Sequence, residues 1–321
     1  MSKTALILGI GGQDGSYLAE HLLEQGYQVH GLYRRSSVDN LRRVRHLEAR
    51  VTFHPGDLAD EGSLRSILAA CKPQEVYHLA DQDDERWSYK VPDYNADITG
   101  AVVGRLLEAI RTGGRSKPRV LIPISAKVFD TTSWPQNEQT PLTPLSPYAC
   151  AKAYALHLAR YYRRVHDLFV ATTILYNHDS PRRGPGYLLQ TICRRAMEVA
   201  AGRFRLLEIG DPDAMVDVGF AGDYVQAMAL ALGAKSPTDY VIASGKPWMV
   251  KQWAQEALKQ CGLGEAATTL VAVDPQYQGP VKRLNFIGDT TRARNQLGWA
   301  PQVSNQDLLR MILQGLKTPC V

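Results

Sequence analysis

A glycine-spaced turn near the start constrains this chain more than any other feature. In "GIGGQDG", Gly9, Gly12 and Gly15 recur every third residue. The apolar run "TALIL" comes directly before, and "GSYLAEHLLEQG", with Leu18, Leu22 and Leu23 on one helical face, directly after. Strand, glycine turn and helix in that order let the backbone approach a pyrophosphate closely. The helix start, with its unpaired N–H groups, then offers the anion a site. The loop from Gly9 through Gly12, Gln13 and Asp14 to Gly15 is therefore a candidate dinucleotide cradle.

The same alternation continues. "QVHGLY", "VTFHPGDL", "EVYHLAD", "RVLIPIS" and "LFVATTILYN" read as strands, separated by the helical stretches "SLRSILAACK", "TGAVVGRLLEAIRTGG" and "SPYACAKAYALHLARYYRRVHD". Strands alternating with helices imply right-handed crossovers and a doubly wound parallel α/β sheet of the Rossmann type. From about residue 178 the pattern loosens. Helices are expected around "LLQTICRRAMEVAAG", "GDYVQAMALALG" and "NQDLLRMILQGLK", with a strand at "DYVIASG". The expected division is a cofactor-binding domain over 1–177 and a smaller, mixed substrate lobe over 178–321, with some strands returning to the first sheet.

Composition removes several classes. Lysine and arginine number 37 against 32 aspartates and glutamates, and the resulting +5 is scattered rather than striped, which argues against nucleic acid. Five cysteines without a CxxC pair suit a reducing cytoplasm better than a disulfide framework, and no metal site is expected. The short N-terminal apolar run reads as a strand, not a signal peptide, and no stretch has the length of a membrane span.

Where the second strand ends, "GLYRRSS" presents Arg34 and Arg35. A carboxylate there would accept from a ribose 2′-hydroxyl, whereas a guanidinium engages a 2′-phosphate, so NADP is expected over NAD. Asp57, in "GDL" after the third strand, is placed to accept from the adenine amino group.

"SPYACAK" puts Tyr148 and Lys152 four residues apart on one helical face. A tyrosine hydroxyl is a poor base at neutral pH, but an ammonium beside it favours the phenolate. Such a tyrosine can take a hydroxyl proton while hydride leaves the carbon. Ser125, at the end of "RVLIPIS", can hold the same oxygen. These three are the candidate catalytic residues.

With those motifs, "GQDGSYLAEHLLEQGYQVHGLYRRSS", "ILYNHDSPRRG", "GFAGDYVQAM" and "ARNQLGWAP" resemble the extended short-chain dehydrogenase/reductases, and within them the GDP-mannose 4,6-dehydratase family, over nearly the whole chain. The resemblance implies an NADP site built from the glycine loop, Arg35, Asp57, Leu58, Leu79, Ala80, Tyr94, Tyr148, Lys152, His178 and Arg183. It also implies a sugar substrate, with Asn177 near it, and a homodimer or homotetramer with "RRSS" near the subunit interface.

The departures carry as much information. Lys127 stands where the family has the glutamate that removes a proton and helps water leave, and a lysine side chain is ordinarily a cation at neutral pH. Val216 and Gly279 replace arginines expected near the nucleotide, and Lys282 a glutamate. Asp83, Asp84 and Glu85 replace neutral or basic side chains near the sugar, which would suit a cationic amino sugar or aminoglycoside-like substrate. The expectation is thus an NADP(H)-dependent oxidoreductase that exchanges hydride at one sugar carbon, as a ketoreductase, dehydrogenase or epimerase does. A GDP-mannose dehydratase with an altered base and an idle NADP-binding regulatory subunit are the alternatives.

Overall fold

Alternate residues of the first strand, β1 (Thr4–Leu8), enter different cores: Leu6 and Leu8 on one face of the sheet, Ala5 and Ile7 on the other. Both faces are covered, so the strand reads as an unbroken apolar run. The computed structural model describes residues 2–114, 117–277 and 285–317.

After β1 come α1 (Gln13–Glu24), β2 (Gln28–Tyr33), β3 (Val51–Pro55), α2 (Glu61–Cys71) and β4 (Glu75–His78). Two short helices follow, α3 (Glu85–Ser88) and α4 (Pro92–Asn95), and a π-type turn over Ala96–Ala101 leads into α5 (Val102–Thr112). Then come β5 (Arg119–Ser125), α6 (Pro147–Val165) and β6 (Val170–Leu175). Beyond residue 176 lie β7 (Asn177–Asp179), α7 (Leu188–Ala200), β8 (Leu207–Ile209), β9 (Met215–Val216), β10 (Val218–Phe220) and α8 (Ala221–Gly233). The chain continues through β11 (Asp239–Ile242), β12 (Trp248–Met249), α9 (Val250–Leu258), β13 (Val271–Val273), α10 (Thr291–Leu297) and α11 (Asn305–Lys317).

Seven strands form one parallel sheet in the order β11-β6-β5-β4-β1-β2-β3, so the fold class is the expected Rossmann-like α/β. β11 returns from beyond residue 178 to complete one edge beside β6. Leu18 and Leu22 of α1 are fully buried against one face. Each such leucine contributes roughly 1.5–3 kcal/mol through its removal from water. α2, α5 and α6 cover the opposite face, while α7, α9 and α11 enclose a separate core around the fully buried Trp253. Among the described residues no helix is long and apolar enough to cross a membrane.

The chain runs outward from β1 through β2 to β3, then crosses back to place β4 on the other side of β1. At such a switch point neighbouring strand ends diverge and leave a crevice at their carboxyl ends. The glycine loop follows β1, the acidic stretch follows β4, and Ser125 terminates β5, so all three open onto that crevice.

Candidate active site

The crevice is a cleft of about 890 Å³. Its wall includes Gly9, Gly12, Gln13, Asp14, Arg34, Asp57, Leu58, Leu79, Ala80, Tyr94, Tyr148, Lys152, His178 and Arg183, together with Ser125, Lys127, Asp83, Asp84, Glu85 and Asn177. Residues expected to hold a cofactor and residues expected to meet a sugar thus share one cavity. Gly15 and Arg35 are the two candidates that do not line it. Gly15 instead lets α1 pack: a Cβ there would sit 2.3 Å from the Gly9 carbonyl oxygen. Arg35 is exposed beyond the rim. Gly279 and Lys282 lie outside the described residues.

The glycine loop fits a dinucleotide. Gly9 has φ +86°, and a Cβ on it would meet the Leu79 carbonyl oxygen at 2.8 Å. Gly12 precedes α1 without a side-chain cap, leaving helix-start N–H groups for an anion. Past the end of β2, Arg34 lines the cleft and donates to the Tyr94 hydroxyl at 3.2 Å. Asn40 and Arg43 join this wall; sequence reasoning missed both, because they come from the irregular segment between β2 and β3 and match no motif.

Across the loop, the Asp14 carboxylate and His178 Nε2 are 2.9 Å apart. Burial pushes the Asp14 carboxyl up, but the charge and hydrogen bond of His178, then Arg183, hold it at about 2. His178 behaves conversely: burial lowers it, and Asp14 outweighs burial and raises it.

Tyr148 and Lys152 lie in the first turns of α6, whose N-cap Ser146 accepts from the Ala149 N–H at 3.1 Å. Both are nearly enclosed, at 8% and 7% exposure. The ammonium of Lys152 donates to the Pro123 carbonyl at 2.9 Å and lies 2.5 Å from the Asp81 carboxylate. Asp81 was not among the expected site residues, although its place directly after Leu79 and Ala80 at the end of β4 is a usable signal. Its presence corrects one expectation. Rather than being lowered by Lys152, the Tyr148 phenol is pushed well above the ordinary tyrosine value by burial and then by the charges of Asp81 and Asp83. A hydrogen bond with Ser125 opposes that rise.

The three acids after β4 meet cations of this chain. Asp83 pairs with Arg183 at 3.0 Å and accepts from the Tyr187 hydroxyl at 3.0 Å. Asp84 caps α3 through the Arg86 and Trp87 N–H groups and pairs with Arg86 at 3.4 Å. Glu85 pairs with Lys127 at 3.1 Å. The physical reason for a cationic substrate therefore falls away, since no carboxylate of the trio stands without a positive partner. Val216 does not line the cleft. It belongs to β9, packs against the second core, and bridges to Phe286, whose ring lies 4.6 Å from the Lys127 ammonium.

The chain is similar to known proteins over nearly its whole length. The family described as GDP-mannose 4,6 dehydratase matches residues 6–312. A GDP-mannose 4,6 dehydratase of Arabidopsis thaliana is 40% identical over 97% of this chain and 89% of its own length. One from Vibrio cholerae is 37% identical over 99% of this chain and 95% of its own length. Among solved structures, the UDP-glucose 4-epimerase of Thermotoga maritima superposes with a TM-score of 0.86 at 22% identity, covering 98% of both chains. The dTDP-glucose 4,6-dehydratase of Bacillus anthracis in complex with NAD gives 0.85 at 18%, covering 99% of this chain and 97% of that one. At those identities the structural likeness concerns the fold.

Proposed function

The chain belongs to the GDP-mannose 4,6-dehydratase family, and on that footing we propose that it is an NADP-dependent dehydratase of a nucleoside-diphosphate hexose, GDP-mannose being the first candidate. The observation that carries the reading is the convergence of Ser125, Tyr148 and Lys152 with the glycine loop in one cleft. Arg34 on the cleft wall supports NADP over NAD, because a guanidinium can engage a 2′-phosphate bidentately. The cofactor, when bound, supplies a hydride acceptor and later a donor. In its deprotonated form Tyr148 takes the proton of the sugar hydroxyl, so turnover rises with pH; Ser125 holds that oxygen by a hydrogen bond, and Lys152 is fixed by Pro123 and Asp81. The expectation that no water would leave rested on Lys127 considered by itself. Lys127 has a carboxylate beside it, and the relatives favour dehydration at least as well.

A second reading, hydride exchange at one carbon without loss of water, draws support from the raised Tyr148 phenol, which suits proton donation to a ketone. Mass analysis after incubation with GDP-mannose and NADP separates the two. A product lighter by one water is expected. A change of two hydrogens alone would replace the dehydratase reading with the second one.

A further inference from the structure

Loss of water next to a ketone requires a base for the adjacent C–H and a proton for the departing hydroxyl. The resemblance expects a glutamate at position 127, yet a lysine stands there. Its ammonium reaches 3.1 Å to the carboxylate of Glu85, which α3 brings to the same cleft. Position 85 is one of those where the family resemblance expects no acid.

Both ends of this pair are tied to the catalytic residues. The Lys127 backbone N–H donates to the Ser125 hydroxyl at 3.3 Å. The Glu85 carbonyl accepts from the Ser88 hydroxyl at 2.6 Å, and the same hydroxyl accepts from the Tyr148 N–H at 3.3 Å. Asp84 fixes the start of the short helix that carries Glu85. The Phe286 ring lies against the Lys127 ammonium at 4.6 Å, in cation–π range. The side chains of Lys127 and Glu85 remain 28% and 30% exposed, open to the cleft rather than sealed in the core.

We propose that Glu85 is the carboxylate that removes the C–H proton in the dehydration, and that Lys127 supplies the proton to the departing hydroxyl. This rests on the dehydratase reading above. With a nicotinamide cofactor bound, oxidation at C4 would pass hydride to it and the hydroxyl proton to the deprotonated Tyr148. Glu85 then takes the C5 proton, and that electron pair forms the C5–C6 double bond as the C6–O bond breaks. The hydroxyl leaves as water with a proton from Lys127. The protonated Glu85, 30% exposed, exchanges with solvent before it delivers a proton to C5, and hydride would return to C6, which restores Glu85 and the cofactor. Tyr148 releases its proton and Lys127 regains one through solvent, leaving one water as the net loss.

The test compares wild type, Glu85→Gln and the double exchange Glu85→Lys with Lys127→Glu, each given NADP and GDP-mannose in D2O. Wild type should release the dehydrated sugar nucleotide with deuterium at C5. Glu85→Gln should lower that release by a factor of order 10²–10⁴ and accumulate NADPH in a single turnover, since oxidation proceeds and elimination does not. The double exchange, which puts the carboxylate back at position 127, should recover at least about tenfold of the lost rate. NADP binding verifies that each variant is folded; should Glu85→Gln fail that check, Glu85→Asp must retain C5 exchange. No dehydrated product from wild type would overturn the dehydratase reading and this assignment together. Near-normal release by folded Glu85→Gln, or no recovery in a folded double exchange, would overturn the Glu85 assignment alone.

Discussion

Lys152 sits 2.5 Å from Asp81, while the centre of the Tyr148 ring is 5.9 Å away, so the ammonium expected to favour a phenolate is matched by a carboxylate. Asp81 also raises the phenol through its own charge. Asp81→Ala removes both effects. The pH at which turnover rises should then fall by roughly one unit or more, the size of shift a close charge produces. A pH–rate profile measures it, and an unmoved profile would show that Asp81 does not govern the phenol.

Tyr148→Phe keeps the ring buried and deletes the proton acceptor. Turnover should drop by a factor of order 10²–10⁴, with NADP affinity little changed. Near-normal turnover in that variant would remove Tyr148 from the chemistry.

Cofactor choice should rest mainly on Arg34, because Arg35 stands off the cleft wall. Wild type is expected to prefer NADP over NAD by about tenfold or more, given about 1.5–3 kcal/mol for a hydrogen bond to a charged group. Arg34→Ala should erase most of that preference and Arg35→Ala little of it. Titration calorimetry with both cofactors decides. Equal affinities in wild type would defeat the NADP assignment.

The Asp14–His178 pair gives the cofactor-free protein a pH signature. Asp14 is depressed to about 2, so its contribution exists above the unfolded carboxyl value of about 3.9 and fades as pH falls toward 2. His178 is raised, so its contribution is complete below the unfolded value of about 6.5 and is lost as pH rises through its folded value. The pair therefore stabilises most between about pH 4 and 6.5. His178→Ala should cost more in urea unfolding at about pH 5.5 than at about pH 8.5. An equal cost at both would mean that the pair carries no linked proton.

What was legible in the sequence is what local spacing encodes. The periodicity of "NQDLLRMILQGLK" coincides with α11, and the four-residue step from Tyr148 to Lys152 places both side chains in one cleft. The helices α3 and α4 escaped notice because four residues show no period. The pairings of Lys127 with Glu85 and Lys152 with Asp81 escaped because they join elements far apart in the chain. Nothing local marks such a contact, and an acid read alone looks like either bare surface or a site for a foreign cation.

One seam has a consequence for how the chain is made. Along α1, Gln13 accepts from the Ser180 hydroxyl at 2.9 Å, Asp14 meets His178, the Ser16 hydroxyl accepts from Arg182 at 3.1 Å, and Glu20 pairs with Arg182 at 2.6 Å. These partners are separated by 162 to 167 residues. At roughly 5–20 residues per second of synthesis, the first helix emerges on the order of ten seconds or more before the segment that completes its polar side. A nascent chain halted near residue 170 would carry the glycine loop without its clasp, and cofactor capture should begin only after residues 178–182 have emerged.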